Sequence, residues 1–247
     1  MNKPHSATHP PFLGGLLNIP NMITCCNLIS GCIAVVFALE GDYQLALLFI
    51  IVGAVFDFFD GMTARLLNVS SPIGKELDSL ADDVTFGVAP SAMLFDFLCT
   101  AEWPPMLQSL SFALSWLAFL MAAFSALRLA KFNLDERQAL GFIGLPTPAN
   151  ALFWGSLIVG GEEALLFTPW AAPIMLAASF VSCYLLVSEI PMFALKFKTW
   201  GWQGNAVKYL FLLTCIPLLL FLGIAGLAAV VAWYVILSIA TNKRLTS

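Results

Sequence analysis

Charged residues are scarce in this chain. Only 11% of its 247 residues are Asp, Glu, Lys or Arg, whereas 60% are hydrophobic. A soluble domain carries about 25% charged residues, and one globular core cannot bury so much apolar surface. The composition therefore excludes an ordinary soluble protein and indicates that much of the surface faces lipid.

The chain also lacks the residue patterns typical of several other protein classes. Its six cysteines contain no C-x-x-C pair and lie mostly in apolar runs, so we expect neither a disulfide framework nor redox chemistry. The two histidines, His5 and His9, have no other ligand type nearby, which favours exposed side chains over a metal site. No basic tail or patch is present, which argues against a nucleic-acid partner.

Long apolar runs dominate the rest of the chain. A membrane-spanning helix needs about 20 mostly apolar residues. We predict an all-α, polytopic transmembrane helical bundle of about eight spans, forming a single membrane domain. Residues 1–18 form a predicted tail or interfacial segment without the features of a cleaved signal peptide. The predicted spans are 22–39, 43–66, 79–99, 108–130, 147–161, 171–190, 207–222 and 225–241.

Basic residues are missing from every second connection between these spans. All 11 Lys and Arg fall in the tails, the alternate connections or the span ends beside them, so the positive-inside rule predicts that both termini are cytoplasmic. The opposite side carries only acidic charge, including Asp96 and Glu102, which we interpret as solvated. The basic residues are Lys3, Arg65, Lys75, Arg128, Lys131, Arg137, Lys196, Lys198, Lys208, Lys243 and Arg244.

One stretch departs from this scarcity of charge: DFFDGMTARLLNVSSPIGKELDSLADD, residues 57–83, contains five aspartates. Asp57, Asp60, Gly61 and Ala64 are spaced so that they share one face of a helix. Small residues on such a face are common where helices pack together. Here, however, they share the face with two carboxylates and add no bulky side chain beside them. We therefore interpret this face as one that a ligand can approach closely.

The following helix adds two more carboxylates, Asp78 and Asp82, four residues apart and on one face. A predicted loop of about a dozen residues joins the helices, so four carboxylates can meet at the cytoplasmic boundary. Their mutual repulsion requires a cation, and hard divalent cations prefer carboxylate oxygen. Two such ions can stabilise a phosphoryl displacement. Asp83 lies off this face, and we assign it no role.

The pattern DxxDGxxAR-x8-GxxxDxxxD, from Asp57 to Asp82, resembles the signature of the CDP-alcohol phosphotransferase family at all eight fixed positions. NIPNMITCCNLISG, LDSLADDVTFGVAPSAM, ALRLAKFN and GFIGLPTPANA are similar to the family's CDP-diacylglycerol–serine O-phosphatidyltransferase branch, the integral-membrane phosphatidylserine synthases. The resemblance covers roughly residues 17–155. It implies a catalytic core at 19–155 and additional transmembrane helices at 156–247.

The resemblance implies a reaction and its setting. The phosphatidyl group of CDP-diacylglycerol would pass to the hydroxyl of L-serine, giving phosphatidylserine and CMP. Mg²⁺ or Mn²⁺, as two ions, is the implied cofactor. A homodimer in the cytoplasmic (inner) membrane is also implied, with its active site facing the cytoplasm.

The same resemblance implies roles for individual residues. The implied metal ligands are Asp57, Asp60, Asp78 and Asp82. Asp82 is also expected to act as the base for the serine hydroxyl. The implied nucleotide and pyrophosphate pocket comprises Asn27, Gly61, Ala64, Arg65 and Gly74. Arg65 is almost equally well explained as an interfacial anchor.

Serine selection requires a cation for the carboxylate of the acceptor. Arg128 and Lys131 are three residues apart at the end of the fourth predicted span and can share a face, although both also suit positive-inside anchors.

Three alternatives remain at this point. The acceptor could be glycerol 3-phosphate, inositol, inositol phosphate or choline, although a phosphorylated acceptor favours a denser basic cluster. The chain could also be a catalytically inactive relative, which the complete set of four aspartates disfavours. An ion-coupled transporter is more distant, because its acids would lie nearer the membrane midplane.

Overall fold

The structure is a computed structural model, and it describes residues 18–68, 71–135, 142–193, 201 and 205–242. Helices account for most of this part of the chain. They are α1 Ile19–Leu39, α2 Tyr43–Leu66, α3 Pro72–Asp82, a π-helical turn Asp83–Val88, α4 Ala89–Thr100, α5 Ser111–Ser115, α6 Leu120–Leu134, α7 Thr147–Leu166, α8 Ala171–Val187, α9 Ala206–Leu222 and α10 Ala225–Asn242. Two 3-10 turns, Gln108–Leu110 and Trp116–Phe119, flank α5.

Three of the described helical segments have both the length and the composition of membrane spans. Among the described residues, Ile19–Leu39, Tyr43–Leu66 and Gln108–Leu134 are long and apolar enough to cross a membrane. Ala171–Val187, Ala206–Leu222 and Ala225–Thr241 are shorter apolar helices. The predicted all-α polytopic membrane bundle is confirmed. The eight predicted spans fall on helical segments, except that α8 ends at Val187, three residues before the predicted end of the span 171–190. The cytoplasmic placement of both termini stays a prediction, because residues 1–17 and 243–247 lie outside the described residues.

The connection between α2 and α3 is shorter than predicted. Ser71 caps α3, because its Oγ accepts a hydrogen bond from the Gly74 backbone N–H at 2.9 Å, and Pro72 occupies the first turn. The helix therefore begins at residue 72, well before the predicted span at 79. Only residues 67–71 separate α2 from α3, so the expected loop of about a dozen residues is wrong.

A small antiparallel strand pair was not predicted from the sequence. β1 (Phe142–Ile143) pairs with β2 (Pro191–Met192), which ties the connection before α7 to the connection after α8. Gly144 follows β1 with φ +76°, and a Cβ there would lie 2.7 Å from the Leu186 carbonyl oxygen. This turn leads directly into Leu145, whose carbonyl contacts a residue of the site described below.

Two glycines allow the π-helical turn to pack closely against α1 and α2. The side chain of Thr85 is fully buried in this turn, and its Oγ1 donates to the Asn27 carbonyl at 3.1 Å. A Cβ on Gly31 would lie 2.3 Å from Thr85 Oγ1 and 2.8 Å from Thr85 Cα, and one on Gly53 would lie 2.5 Å from Thr85 Cγ2. Because these two positions carry no side chain, the π-helical turn that follows Asp82 can pack closely against α1 and α2.

Substituting Gly31→Ala is expected to destabilise the fold. The added methyl group overlaps backbone as well as side-chain atoms of Thr85, and overpacking of this kind costs about 1–3 kcal/mol. The expected result is a lower Tm of the purified protein in detergent. Gly61→Ala is the matched control, because no atom lies within 4 Å of the added Cβ and alanine favours a helix. Equal Tm values for the two variants would contradict this account of the packing.

The apolar core lies where the π-helical turn and α4 meet α7. Phe86, Met93, Phe97 and Trp154 are fully buried there. α7 also packs against α10, so the last helices join the same bundle. The predicted limit between residues 155 and 156 falls inside α7, and the division into a catalytic core and additional helices stays a prediction.

Candidate active site

Three carboxylates from two helices converge at one end of the bundle. Asp57 and Asp60 lie one turn apart on α2, and Asp78 lies on α3. One carboxylate oxygen from each residue lies within 4.8 Å of those of the other two. Both helices pack against α1, which holds them in position. The predicted convergence of these three aspartates is therefore present in the structure.

Asp82 joins this group from the buried side. Its side chain is close enough to interact with that of Asp57, and Asn27 Nδ2 donates to Asp82 Oδ1 at 3.0 Å. Thr24 donates in the same way to Asp60, from Oγ1 to Oδ2 at 2.6 Å. Asn27 and Thr24 are neutral, so they orient the carboxylates without cancelling the negative charge.

The donor set fits a divalent metal ion. Within the described part of the chain, no Lys or Arg forms an ion pair with Asp57, Asp60, Asp78 or Asp82, and the ion pair that is formed there joins Lys131 to Glu189. Like charges this close oppose one another's ionisation unless a cation lies between them. Hard cations such as Mg²⁺ take carboxylate oxygens. Asp57, Asp60 and Asp78 could therefore hold such an ion.

A cavity of about 390 Å³ opens beside the carboxylates. This size is within the range of small-molecule sites. Nothing lies within 4 Å of the position that a Cβ on Gly61 would occupy, so a ligand can approach the backbone of α2 there. The cavity is lined by Asn18, Pro20, Asn21, Thr24, Asp57, Asp60, Gly61, Ala64, Ser71, Gly74, Lys75 and Asp78.

Two residues of the predicted nucleotide pocket lie away from the cavity wall. Arg65 is exposed, and its Nε donates to the Gly61 carbonyl at 2.9 Å, one turn back on its own helix. Asn27 is fully buried behind Asp82. Gly61, Ala64 and Gly74, by contrast, all line the cavity.

The two predicted serine-binding cations have different environments. Arg128 is 6% exposed, its Nε donates to the Leu145 carbonyl at 2.9 Å, and its charge interacts with that of Asp82. Lys131 instead forms an ion pair with Glu189 and donates to the Val187 carbonyl at 3.3 Å. Arg128 thus lies beside the site, whereas Lys131 contacts the connection that follows α8.

Sequence reasoning missed Thr24, Ser71 and Lys75 as residues of the site. Thr24 lies midway between Asn21 and Asn27, and this three-residue repeat of polar side chains in an apolar span was a usable signal for one buried face. Lys75 follows Gly74 and lines the cavity, and its Nζ donates to the Asn133 carbonyl at 2.8 Å. Ser71 was detectable as a serine before Pro72 at a helix start.

Comparison with protein families adds a decisive observation. A family model described as CDP-alcohol phosphatidyltransferase matches residues 17–181, which include all four clustered aspartates and the cavity-lining residues. The chain belongs to the CDP-alcohol phosphatidyltransferase family. The family predicted from the spacing of residues 57–82 is therefore confirmed.

Curated relatives within this family share one name, CDP-diacylglycerol–serine O-phosphatidyltransferase. The protein of that name from Bacillus subtilis (strain 168) is 41% identical over 174 residues, covering 70% of this chain and 88% of the relative. The one from Mycobacterium tuberculosis (strain ATCC 25618 / H37Rv) is 31% identical over 185 residues, covering 70% and 60%. The one from Saccharomyces cerevisiae (strain ATCC 204508 / S288c) is 40% identical over 150 residues, covering 54% and 51%. The chain thus spans most of the bacillary relative and little more than half of the other two.

Proposed function

We propose that this protein transfers the phosphatidyl group of CDP-diacylglycerol to the hydroxyl of L-serine, giving phosphatidylserine and CMP. The convergence of Asp57, Asp60 and Asp78 beside an open cavity supports a metal-dependent phosphotransfer site. The relatives' shared name supports the choice of substrates.

Asp57, Asp60 and Asp78, with Asp82 on the buried side, would hold Mg²⁺ or Mn²⁺, and four carboxylates are sufficient for two ions. When bound, the metal stabilises the negative charge that develops on the pyrophosphate oxygens. The carboxylates are held for this purpose by Thr24 and Asn27, whose hydrogen bonds limit the rotation of Asp60 and Asp82. Holding the ligands in advance reduces the cost of organising the site.

The cavity wall suits the nucleotide and pyrophosphate. Gly61, Ala64 and Gly74 carry little or no side chain, so the phosphates can approach the backbone there. Lys75 supplies a positive charge at the same wall. Arg65 stays a proposed phosphate contact at the rim, and Asn27 acts on the pocket by positioning Asp82.

In the proposed reaction, Asp82 accepts the proton of the serine hydroxyl. The serine oxygen then forms a bond to the phosphorus that carries diacylglycerol. The bond between this phosphorus and the oxygen of CMP breaks, and the electron pair leaves with CMP. Asp82 suits this role because it is buried and its charge interacts with that of Arg128. A positioned base of this kind contributes about 10²–10⁴-fold to the rate.

The basic residues near Asp82 favour a carboxylate-bearing acceptor over a phosphorylated one. Arg128 is a buried cation whose charge interacts with that of Asp82, and Lys131 is paired with Glu189. With Lys75 and Arg65 assigned to the pyrophosphate, this leaves Arg128 for the acceptor among the described residues, whereas a phosphate favours several donors. Arg137, the next basic residue along the chain, lies outside the described residues. We propose that Arg128 binds the serine carboxylate, with Lys131 in a supporting position.

We further propose that the protein acts as a homodimer in the cytoplasmic membrane with its active site facing the cytoplasm. The sidedness of Lys and Arg supports this orientation. Serine and divalent metal would then reach the cavity from the aqueous side, and the acyl chains would lie among the exposed apolar side chains of the helices.

The test of the proposed function is CMP release by purified protein from CDP-diacylglycerol with Mg²⁺ or Mn²⁺. L-serine, glycerol 3-phosphate, inositol and choline are offered in parallel. We expect release with L-serine alone and none after chelation of the metal. Glu76→Gln is the control, because it removes an exposed charge from the helix that carries Asp78.

Two outcomes would contradict the proposal in different ways. Turnover with another alcohol would keep the phosphotransfer site and overturn the choice of serine. A folded, metal-loaded protein that turns over no acceptor would overturn the enzymatic function. Stabilisation of that inactive protein by Na⁺, with no response to CDP-diacylglycerol, would favour the transporter alternative.

A further inference from the structure

The last helix of the bundle reaches the acceptor end of the proposed site, although it lies outside the residues that the family model matches. That match ends at residue 181, whereas α10 spans Ala225–Asn242. α10 packs against α7 and β2, and the hydroxyl of Tyr234 lies within electrostatic range of the Arg128 guanidinium. The proposed reaction has given this helix no role so far.

The β1–β2 strand pair links Arg128 to Tyr234. Arg128 Nε donates to the carbonyl of Leu145, two residues after β1, at 2.9 Å. Tyr234 Oη donates to the carbonyl of Phe193, the residue directly after β2, at 3.0 Å. β1 and β2 are hydrogen-bonded to each other, and the Gly144 N–H adds a bond to the Ile190 carbonyl at 2.9 Å. One small unit of backbone therefore holds both side chains.

Ring contacts fix the position of Tyr234 independently of its hydroxyl. Its ring centroid lies 4.8 Å from that of Phe193 and 6.0 Å from that of Phe211, a buried residue of α9. The hydroxyl proton is donated to the Phe193 carbonyl, so the lone pairs of the Tyr234 oxygen are left to face other groups. A partial negative charge on this oxygen attracts a nearby cation.

Arg128 is a buried cation with few contacts that hold its guanidinium. Among the described residues, Arg128 makes its hydrogen bond through Nε, and its two terminal nitrogens bond to none of them. The Phe132 ring centroid lies 5.4 Å from Arg128 Cζ, and Asp82 interacts with the charge without forming an ion pair in the described part of the chain. A buried charge is costly unless other groups stabilise it, and the Tyr234 oxygen is one such group.

We propose that Tyr234 is a positioning residue for acceptor binding, whose hydroxyl oxygen holds the Arg128 guanidinium in the orientation that binds the acceptor carboxylate. This inference rests on the proposed function, because it concerns the cation assigned to L-serine. The last helix thereby takes part in acceptor selection. A residue that acts only through Arg128 affects the binding of L-serine and leaves the transfer of the phosphatidyl group unchanged.

The test is steady-state CMP release by full-length Tyr234→Phe purified in detergent. This substitution keeps the aromatic ring and removes only the hydroxyl. We expect the KM for L-serine to rise about three- to tenfold, the usual effect of losing one neutral polar interaction. The kcat and the KM for CDP-diacylglycerol should stay within about twofold, because Tyr234 does not line the cavity beside the aspartates.

Two further variants separate this role from a general effect on helix packing. Thr214→Val removes the hydroxyl that accepts a hydrogen bond from Trp233 Nε1 at 2.9 Å, a contact that also holds α10 but does not involve Arg128. It should lower the Tm about as much as Tyr234→Phe does and leave the KM for L-serine unchanged. Arg128→Lys keeps the charge and loses the planar guanidinium. Adding Tyr234→Phe to Arg128→Lys should change the KM for L-serine by less than about twofold, because the two residues act together.

The possible failures are distinguishable. A wild-type chain that uses L-serine, together with a Tyr234→Phe variant that keeps its KM, would overturn the role of Tyr234 alone. An equal rise of the KM in Thr214→Val would show that the packing of α10 controls acceptor binding. A full effect of Tyr234→Phe in the Arg128→Lys chain would show that Tyr234 does not act through Arg128, and the KM values of the single variants decide if Arg128→Lys is inactive. A wild-type chain without serine turnover would overturn the proposed function itself, and this role with it.

Discussion

Replacing Asp82 by Asn is expected to lower the kcat for CMP release by about 10²–10⁴-fold, the usual contribution of a general base. Asn has the shape of Asp but cannot accept the proton of the serine hydroxyl. The amide oxygen can still accept the hydrogen bond from Asn27, so we expect the fold to change little. The measurement is steady-state CMP release at saturating L-serine and metal.

The matched control for this prediction is Asp96→Asn, the same substitution at another aspartate. Asp96 accepts a hydrogen bond from Tyr43 and does not line the cavity. If Asp82→Asn kept more than about one tenth of the wild-type kcat, the proton would have to leave through another group. A large loss in both variants would instead indicate a general sensitivity of the bundle to lost acidic charge.

Replacing Asp78 by Asn is expected to change both the metal dependence and the stability of the protein. The three clustered oxygens lie within 4.8 Å of one another, so without metal they repel. In the presence of a chelator, Asp78→Asn should therefore have a higher Tm than the wild-type chain. With Mg²⁺ or Mn²⁺ the order should reverse, because metal binding stabilises only a site that keeps its ligands.

The activity of Asp78→Asn should also show a weaker response to the metal. We expect half-maximal CMP release to require at least about tenfold more metal than in the wild-type chain, with a lower maximum. The activity and the Tm are each measured as the metal concentration is raised. Glu76→Gln on the same helix is the control. An unchanged metal requirement in Asp78→Asn would show that this carboxylate is not a ligand.

The predicted cluster of aspartates depended on local geometry, which explains why it could be derived before the structure was known. Asp57 and Asp60 share a face because a helix turns by a constant angle per residue, and Asp78 and Asp82 share a face for the same reason. The short connection brings the two faces to one end of the bundle. Family membership followed from the same spacing, and the comparison confirmed it.

The contacts that position those aspartates depended on distant parts of the chain. Thr24 reaches Asp60 and Asn27 reaches Asp82 only because α1 packs against α2 and α3 along one particular face. The partner of Lys131 is Glu189, 58 residues away, and no spacing rule connects them. Tertiary packing therefore decides whether a Lys or Arg side chain can bind a ligand or instead contacts another part of the protein.

The sequence by itself determined that the chain is a helical membrane protein with two pairs of aspartates, each pair on one helix face, because apolar run length and helical periodicity are properties of consecutive residues. Only the tertiary structure decided that Thr85 packs between Gly31 and Gly53, and that Asp83 lies beside Ser125. Asp83 lies one residue off the face that Asp78 and Asp82 share, so the sequence alone indicated no interaction partner for its side chain. Its surroundings come from α6, and which helix lies beside another depends on how all of them fill the interior together.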